Sequence, residues 1–453
     1  MPTPPLVAVI GGGMAGSEAA WQLAKRGIRV RLYEMRPVRA TPVHKTGDLA
    51  EMVCSNSLRS DGLDNAVGLL HEEMRRLDSL FLAAADDNRV PAGKALAVDR
   101  QRFARAITAQ IEALETVEIV REEVTEIPAG PCIIASGPLT SNALSARIVE
   151  LTGAEHLYFY DAVSPIVAAD SIDTDKTFVA SRYDKGGADY INCPFTEEEW
   201  ERFYAALMAA ESHELPEHER KLFFEGCLPI EEIARRGPET LLFGPMKPVG
   251  LTDPHTGERP HAVVQLRQDD LAAEHYSLVG FQTRMKWGEQ ERVLRLIPGL
   301  ENAEFVRFGT VHRNTYINAP RVLTETLQTR TRGDLWFAGQ IAGTEGYVES
   351  AAGGLLAGVY CGMALLDGGI RTVPRTTALG SLAFYISHAR AIDYQPTNIT
   401  FGIIPDLDTP VRKKLERRAA LVQRALVDLG DWIRENGAAL GLRAGTHEVV
   451  GRD

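Results

Sequence analysis

A strand–turn–helix–strand segment near the start of the chain, LVAVIGGGMAGSEAAWQLAKRGIRVRLYE (residues 6–34), restricts the possible folds more than any other feature. Residues 6–10 form a continuous apolar run, as expected for a parallel strand buried on both faces. Gly11, Gly13 and Gly16 follow in G-x-G-x-x-G spacing. The first glycine permits the turn, the second lets a pyrophosphate approach the backbone, and the third lets helix and strand pack closely. The segment therefore predicts an α/β dinucleotide-binding domain.

The acidic residue after the second strand supports the same prediction. The carboxylate of Glu34 follows residues 28–33, where it could bond both ribose hydroxyls and repel a 2′-phosphate. A Gly-rich turn that binds nothing and a site for S-adenosylmethionine are the alternatives. The residues that this segment is expected to bring to the cofactor are Gly11, Gly12, Gly13, Met14, Ala15, Gly16 and Glu34.

Two later segments favour FAD as the dinucleotide. GDLWFAGQIAGTEGYVESAAGGLLAG (residues 333–358) predicts a short apolar strand, a glycine, a loop and a Gly/Ala-rich helix. Flavoproteins of the glutathione-reductase type complete their FAD site in this way, and CIIASGP (residues 132–138) resembles the intermediate strand of that fold. FAD is therefore the leading cofactor, with Gly339 and Gln340 beside it, and NAD alone is the runner-up.

The length and the changing pattern of the chain predict its domains. A chain of 453 residues is too long for one small core. Between about residue 160 and residue 310 the pattern changes to short mixed strands and helices, as expected for an insertion that covers the flavin. We expect an α/β fold with a Rossmann-like FAD-binding domain of the glutathione-reductase type (residues 1–160 and 310–453, with a helical C-terminal region) and an inserted α+β domain (residues 161–309).

Charge and composition restrict the cellular setting. The net charge of −12 disfavours indiscriminate nucleic-acid binding without excluding a local basic patch. The start of the chain has no secretory signal, and the apolar run of residues 350–366 is glycine-rich and short for a membrane span, so a buried helix is expected. Five scattered cysteines without a CxxC pair fit a reducing cytoplasm and no structural zinc. We therefore expect a cytoplasmic protein without a metal or a membrane anchor.

Two segments are locally basic. The first lies in a predicted C-terminal helix and the second follows the Gly-rich turn, and each is either a solvated face or a surface that contacts phosphates. Their members are Arg412, Lys413, Lys414, Arg417 and Arg418 in the first, and Arg31, Arg36, Arg39 and His44 in the second.

Two cysteines lie in polar, loop-like surroundings. Cys227 precedes a helix predicted to begin near Ile230, and the positive end of a helix dipole favours a thiolate. Cys54, in EMVCSNSLRSDG, has basic neighbours in sequence. By contrast, Cys132 and Cys361 lie in apolar patterns typical of a core, and Cys193 is ambiguous.

Six motifs across nearly the whole chain resemble one enzyme family. In order, they are VIGGGMAGSEAAWQLA, GDLAEMVCSNSLRSD, FEGCLPIEE, LLFGPMKPVGL, GQIAGTEGYVESAAGGLLAG and QPTNITFGIIP. They closely resemble the folate- and FAD-dependent tRNA (uracil-5-)-methyltransferases, known as TrmFO, which are related to the GidA/MnmG flavoproteins. The resemblance implies methylation of the T-loop uridine of tRNA, with 5,10-methylenetetrahydrofolate as carbon donor, reduced FAD as electron source and NAD(P)H as reductant.

The resemblance also implies roles for particular residues. C5 of uracil becomes nucleophilic only after a group adds to C6, and a second group must then remove the C5 proton. Cys227 is the expected nucleophile and Cys54 its partner, as a base or a thiol near the flavin, and the two roles could be exchanged. Tyr347 could stack on folate or be a core tyrosine. Lys247 and Arg267 could hold the folate tail or tRNA phosphates, or be surface charges.

Other classes of function stay open at this point. One is a general FAD/NAD(P)H oxidoreductase that acts on a small molecule, with the cysteines incidental. Another is a GidA-like flavoprotein that modifies wobble uridines, although that family has a longer C-terminal helical region than this pattern indicates. A third is a tRNA-binding protein whose flavin is structural or regulatory. The sequence predicts no oligomeric state.

Overall fold

The computed structural model describes residues 5–153, 157–184, 187–213, 228–366, 368–392 and 394–441. The strands in these ranges are β1 (Leu6–Ile10), β2 (Arg29–Tyr33), β3 (Ser57–Ser60), β4 (Arg89–Val90), β5 (Ala95–Val98), β6 (Val117–Val120), β7 (Cys132–Ile134), β8 (Leu157–Ala162), β9 (Ile166–Ala168), β10 (Phe178–Val179), β11 (Tyr190–Phe195), β12 (Ala262–Gln268), β13 (His275–Leu278), β14 (Phe305–Arg307), β15 (Val311–Tyr316) and β16 (Leu335–Phe337).

The α-helices in the same ranges are α1 (Met14–Ala24), α2 (Ala66–Arg76), α3 (Leu80–Asp87), α4 (Arg100–Glu112), α5 (Asn142–Thr152), α6 (Glu197–Ala209), α7 (Ile230–Arg235), α8 (Pro238–Phe243), α9 (Trp287–Leu294), α10 (Ala319–Val322), α11 (Tyr347–Leu366), α12 (Ala378–His388) and α13 (Lys414–Asn436).

A five-stranded parallel sheet forms the centre of the first domain. Its strand order is β16-β7-β1-β2-β6, so the first strand of the chain lies in the middle. The segments predicted as the intermediate and the last strand are β7 and β16, which pair side by side. All residues of β7 and β16 are buried, as expected for strands of a parallel sheet. This is the predicted Rossmann-like α/β fold.

Helices α1 and α11 pack with their backbones in direct contact. A Cβ atom at Gly354 would overlap the carbonyl oxygen of Ala15, and one at Gly358 would lie 2.8 Å from the carbonyl oxygen of Ala19. Helix α11 is long and apolar enough to cross a membrane, yet 83% of its apolar window is buried inside the protein. The expectation of a buried helix with close backbone packing is therefore confirmed.

A second sheet has its own hydrophobic core. Six strands in the order β10-β11-β12-β13-β9-β14 pair antiparallel. Helix α6 begins with a capping box, in which Thr196 and Glu199 satisfy each other's backbone N–H groups. It packs Phe203 and Leu207 against strand residues such as Phe195. This sheet with its helices is the inserted α+β part of the predicted fold.

An antiparallel ribbon of β8 and β15 runs where the chain leaves the first sheet and where it returns. The predicted domain boundaries, 160/161 and 309/310, fall in this ribbon or beside it. They stay a prediction. Towards the end of the chain, α13 buries Leu421, Ala425, Leu429 and Trp432 at helical spacing, which makes it an amphipathic helix on the first domain.

Candidate active site

The Gly-rich turn between β1 and α1 has the backbone geometry that a bound pyrophosphate needs. Gly11 has φ +106°, and a Cβ atom there would lie 2.5 Å from the carbonyl oxygen of Ala135. A Cβ atom at Gly16 would overlap the carbonyl oxygen of Gly11, so this glycine lets α1 approach β1. At Gly13 no atom lies within 4 Å of the added Cβ. The second glycine of the motif therefore faces open space.

That open space is part of a cleft at the carboxyl ends of the parallel strands. It extends from the end of β2 to the start of α11, and the first residue of α1 lies on its wall. A helix N-terminus with free backbone N–H groups favours phosphate. Of the residues predicted at the cofactor or folate, those that line the cleft are Gly11, Gly13, Met14, Ala15, Glu34, Gly339, Gln340 and Tyr347.

Gly12 and Gly16 do not line the cleft, but belong to the turn that forms its wall. A Cβ atom at Gly12 would lie 2.5 Å from Leu49 Cδ2 and 2.9 Å from Glu34 Oε2. Gly339, at φ +76°, would place a Cβ atom 2.7 Å from that of Ala15. The close approach of β16 to α1 therefore requires small residues on both sides. The cleft runs from the Gly-rich turn to the start of α11, and this arrangement fits a dinucleotide whose second half reaches α11.

Both oxygens of the Glu34 carboxylate are engaged within the protein. Oε1 accepts hydrogen bonds from the backbone N–H and Nε of Arg36 at 2.9 Å each, and Oε2 accepts from the N–H of Gly12 and from Arg36 Nη2 at 3.1 Å each. Burial alone would raise the pKa of Glu34, but the hydrogen bonds and charge of Arg36 outweigh it and hold the pKa below its usual range. The ribose contact stays a prediction. A ribose hydroxyl would have to share this carboxylate with Arg36.

Tyr347 links the cleft to the first of the two loop cysteines. It is the first residue of α11 and lines the cleft. Its hydroxyl oxygen accepts hydrogen bonds from the N–H groups of Val53 (3.0 Å) and Cys54 (2.7 Å). Cys54 itself is half-buried. The contact brings the thiol-bearing residue to the end of the cleft that α11 closes.

Residues 53–56, which we call the Cys54 loop, are bonded by arginines from three elements. Arg100, at the start of α4, and Arg307, at the end of β14, each donate to the carbonyl oxygen of Cys54 at 3.0 Å. Arg307 also donates to the carbonyl oxygen of Val53 at 3.2 Å. Arg267, on β12, donates to Ser55 Oγ (2.7 Å) and Asn56 Oδ1 (2.9 Å). Two of these three arginines belong to the second sheet.

Arg267 is not a surface charge, because it is only 9% exposed and its guanidinium bonds the Cys54 loop. A contact of Arg267 with the folate tail or with tRNA phosphates stays a prediction. Sequence reasoning did not find Arg100 or Arg307 at all. Nothing near either residue in the sequence signals a contact with residue 54, since the contact depends on how the two sheets dock.

Cys227 lies outside the described residues. The start of the helix that follows it is anchored to the second domain, because the N–H of Ile230 donates to the carbonyl oxygen of Gln282 at 2.7 Å. The next residue, Thr283, approaches Gly309, where an added Cβ would lie 2.6 Å from its Cγ2. The helix expected near Ile230 begins at that residue.

The other cysteines are core residues. Cys132, Cys193 and Cys361 are fully buried, and burial raises the pKa of all three thiols, that of Cys132 to about 12. The prediction for Cys132 and Cys361 is confirmed, and Cys193 joins them. Within the described ranges no group of three or more His, Cys, Asp or Glu side chains could hold a metal ion.

The two basic segments differ in the structure. In the first domain Arg31 bonds Glu118, Arg36 bonds Glu34 and Glu51, and Arg39 pairs with Glu123, so these three arginines each have an acidic partner. At the start of α13 the side chains are exposed, and only Arg418 is half-buried. There Lys413 pairs with Glu416 and Arg417 with Asp406. Arg412 and Lys414 have no acidic partner among the described residues.

Comparisons with known proteins place the chain among curated relatives. A profile of the family described as Glucose inhibited division protein A matches residues 6–367. Methylenetetrahydrofolate–tRNA-(uracil-5-)-methyltransferase TrmFO of Anoxybacillus flavithermus is 58% identical over 429 residues, which cover 95% of this chain and 99% of the relative. The protein of the same name in Bacillus subtilis is 58% identical over 420 residues, covering 93% and 97%.

Solved structures agree on the fold. The structure of Aquifex aeolicus GidA superposes with a TM-score of 0.70 at 18% sequence identity, covering 98% of this chain and 74% of that chain. At this identity the likeness shows the fold alone.

The open space at Gly13 gives a direct test of the cofactor cleft. Gly13→Leu should place a side chain where the pyrophosphate binds, so we expect folded, soluble protein that has lost most of its flavin. The measurement is the flavin absorbance per protein after purification, before and after added FAD. Gly333→Leu is the control, because it also meets no atom within 4 Å but lies outside the cleft. A Gly13→Leu protein with full flavin content would show that the cleft does not bind the cofactor.

Proposed function

The chain belongs to the TrmFO family of methylenetetrahydrofolate–tRNA-(uracil-5-)-methyltransferases, and from this premise we propose how its own residues perform the reaction. The enzyme methylates C5 of uracil in tRNA, with FAD as cofactor and 5,10-methylenetetrahydrofolate as carbon donor. Within that activity we propose the T-loop uridine as the target, NAD(P)H as the reductant and the cytoplasm as the location. The observation that carries the residue assignments is the hydrogen bond from the backbone N–H of Cys54 to the Tyr347 hydroxyl, which holds the cysteine residue next to the cofactor cleft.

We assign the cofactor to the cleft at the Gly-rich turn. The N–H groups at the start of α1, with Gly13 beside them, would hold the pyrophosphate. Gly339, Gln340 and the start of α11 would lie at the flavin. When bound and reduced, the flavin supplies the hydride that turns the one-carbon unit on uracil into a methyl group.

The two cysteines supply the covalent chemistry in this proposal. The Cys227 thiolate adds to C6 of uracil, which makes C5 nucleophilic towards the one-carbon unit of folate. Cys54, as a thiolate, takes the C5 proton while the folate nitrogen leaves the one-carbon unit, and the exocyclic methylene formed in this way would take up the hydride as Cys227 leaves C6, which restores the ring. The reverse assignment of the two thiols is the alternative.

Tyr347 is the proposed folate contact. Because its hydroxyl oxygen accepts two backbone N–H groups of the Cys54 loop, the ring is held in one orientation at the wall of the cleft. A ring fixed in this way can stack on a flat pterin without first losing side-chain freedom. The same hydroxyl keeps Cys54 beside that ring.

The reaction itself separates this function from the other classes. Purified protein with NAD(P)H, 5,10-methylenetetrahydrofolate carrying a labelled methylene carbon, and a tRNA transcript should give labelled 5-methyluridine at the T-loop position. S-adenosylmethionine should not replace the folate, and a transcript with cytidine at that position should give no product. NAD(P)H oxidation coupled to a small molecule without RNA methylation would favour the general oxidoreductase. Product at the wobble uridine would favour the GidA-like function.

The cysteine roles are tested by substitution. Cys54→Ala and Cys227→Ala should each keep FAD but lose methyl transfer by a factor of about 100 or more, because a nucleophile or its acid–base partner is missing. Cys132→Ala and Cys361→Ala are the controls, and should cost stability without affecting the chemistry, because both residues are buried in the core.

A substrate analogue then identifies the nucleophile. With 5-fluorouridine in the T loop there is no C5 proton to remove, so the adduct at C6 should be trapped, and peptide mapping should find it on Cys227. An adduct on Cys54 would exchange the roles. Full activity in both alanine variants would rule out cysteine catalysis.

The exposed basic residues at the start of α13 are the proposed contact for tRNA phosphates. Replacing both Arg412 and Lys414 by Glu should weaken tRNA binding by about tenfold or more, and should reduce the slope of log affinity against log salt by about one for each phosphate that is no longer bound. Flavin content should not change. Arg434→Glu, at the other end of the same helix, is the matched control and should bind as the wild type does. Unchanged affinity and slope in the double variant would place the tRNA elsewhere.

A further inference from the structure

The charges around the Cys54 loop do not balance. Three guanidinium groups bond the loop, those of Arg100, Arg267 and Arg307. One carboxylate, Asp269, faces them, and it bonds Arg100 Nε and Nη2 at 3.0 and 2.8 Å. Among the described residues, Arg267 and Arg307 donate hydrogen bonds only to neutral groups, namely carbonyl, hydroxyl and amide oxygens. This cluster therefore carries two uncompensated positive charges.

The two uncompensated arginines are also removed from water. Arg267 is 9% exposed and Arg307 is half-buried, and Arg307 Nε is a buried atom without a hydrogen-bond partner. Burial lowers the pKa of Arg307 to about 10, and lowers that of Arg267 as well. Burial also lowers the pKa of Arg100, but the charge and hydrogen bonds of Asp269 outweigh burial, so the pKa of Arg100 is raised. A buried cation without a counter-ion is costly, so an anion at this place would be strongly stabilised.

The group that the cluster surrounds is the thiol of Cys54. The carbonyl oxygen of Cys54 accepts from Arg100 and Arg307, and the thiol is only three bonds from that carbonyl carbon, so it lies within the field of these charges. Within the part of the chain that the structure describes, the Tyr347 hydroxyl, which bonds the Cys54 N–H, and Asp269, which pairs with Arg100, also lie at the loop. Arg59, which follows the Cys54 loop in the chain, is neutralised by the buried carboxylate of Glu349. A thiolate is the anion that this chain itself can provide here.

We propose that Arg267 and Arg307 are positioning residues that keep Cys54 as a thiolate at the flavin end of the cleft. They reach the loop from β12 and β14, so the second sheet supplies the charge and the first domain supplies the thiol. The thiolate accepts the C5 proton of uracil and becomes a thiol, which releases that proton to solvent before the next turnover. The proposal rests on the role assigned to Cys54 above, but its test needs neither RNA nor folate.

The test is the pH dependence of Cys54 alkylation in the full-length, FAD-loaded protein. Iodoacetamide is applied from about pH 5 to pH 10, and peptide mapping reports each cysteine separately. We expect Arg307→Met to slow the reaction of Cys54 at neutral pH by about threefold to tenfold, because the thiolate fraction falls, with the wild-type rate restored at high pH. Arg307→Lys keeps a positive charge and should retain most of the rate. Arg267→Gln, which can still donate to Asn56 but carries no charge, should behave as Arg307→Met does.

The outcomes distinguish an electrostatic effect of Arg267 and Arg307 on the Cys54 thiol from a purely structural role in holding the loop. Arg295→Met is the control, because Arg295 is an exposed arginine of the second sheet's helices that pairs with Glu291. If both neutral variants keep flavin and keep the wild-type alkylation profile, the arginines only brace the loop and the proposal is wrong. It is also wrong if Arg295→Met shifts the profile equally. A shifted profile in a protein that fails to methylate tRNA would uphold this inference and reject the proposed function.

Discussion

The contact between the backbones of α1 and α11 is the constraint on which the site depends. Gly354 and Gly358 lie against Ala15 and Ala19, so that any larger residue would force the helices apart. Because the two helices are held this closely, their N-terminal ends open onto one cleft, α1 at Gly13 and α11 at Tyr347. Both ends carry partial positive charge, which suits the phosphates and the electron-rich flavin of one ligand.

The second constraint is electrostatic and comes from outside this pair of helices. The second sheet has its own core, yet it sends Arg267 and Arg307 to the Cys54 loop. The insertion therefore reaches beyond its own core, since it bonds a loop that lies beside the cleft. In such an arrangement, a change in how the sheets dock alters the chemistry of the thiol even when every residue at the cleft stays in place.

The sequence predicts the parts of the site that are local. The strand, turn, helix and second strand of residues 6–34 interact over short distances, so their spacing is sufficient to predict β1, α1, β2 and the open space at Gly13. The bonds to the Cys54 loop join residues far apart, 212 positions for Ser55 with Arg267 and 253 for Cys54 with Arg307. No local pattern encodes such pairs. Arg36, two positions from Glu34, lies within reach of sequence reasoning, but its position in a basic segment indicated a surface role instead.

The spread of the site along the chain has a consequence during synthesis. A ribosome releases the Gly-rich turn and Cys54 early, but Arg267, Arg307, β16 and Tyr347 emerge only after most of the chain is made. Until then the cleft lacks its back wall and the thiol lacks the cations around it. A nascent chain of about 300 residues therefore holds neither a complete flavin site nor an electrostatically activated cysteine. The cleft is closed only when β16 pairs with β7 and α11 packs against α1.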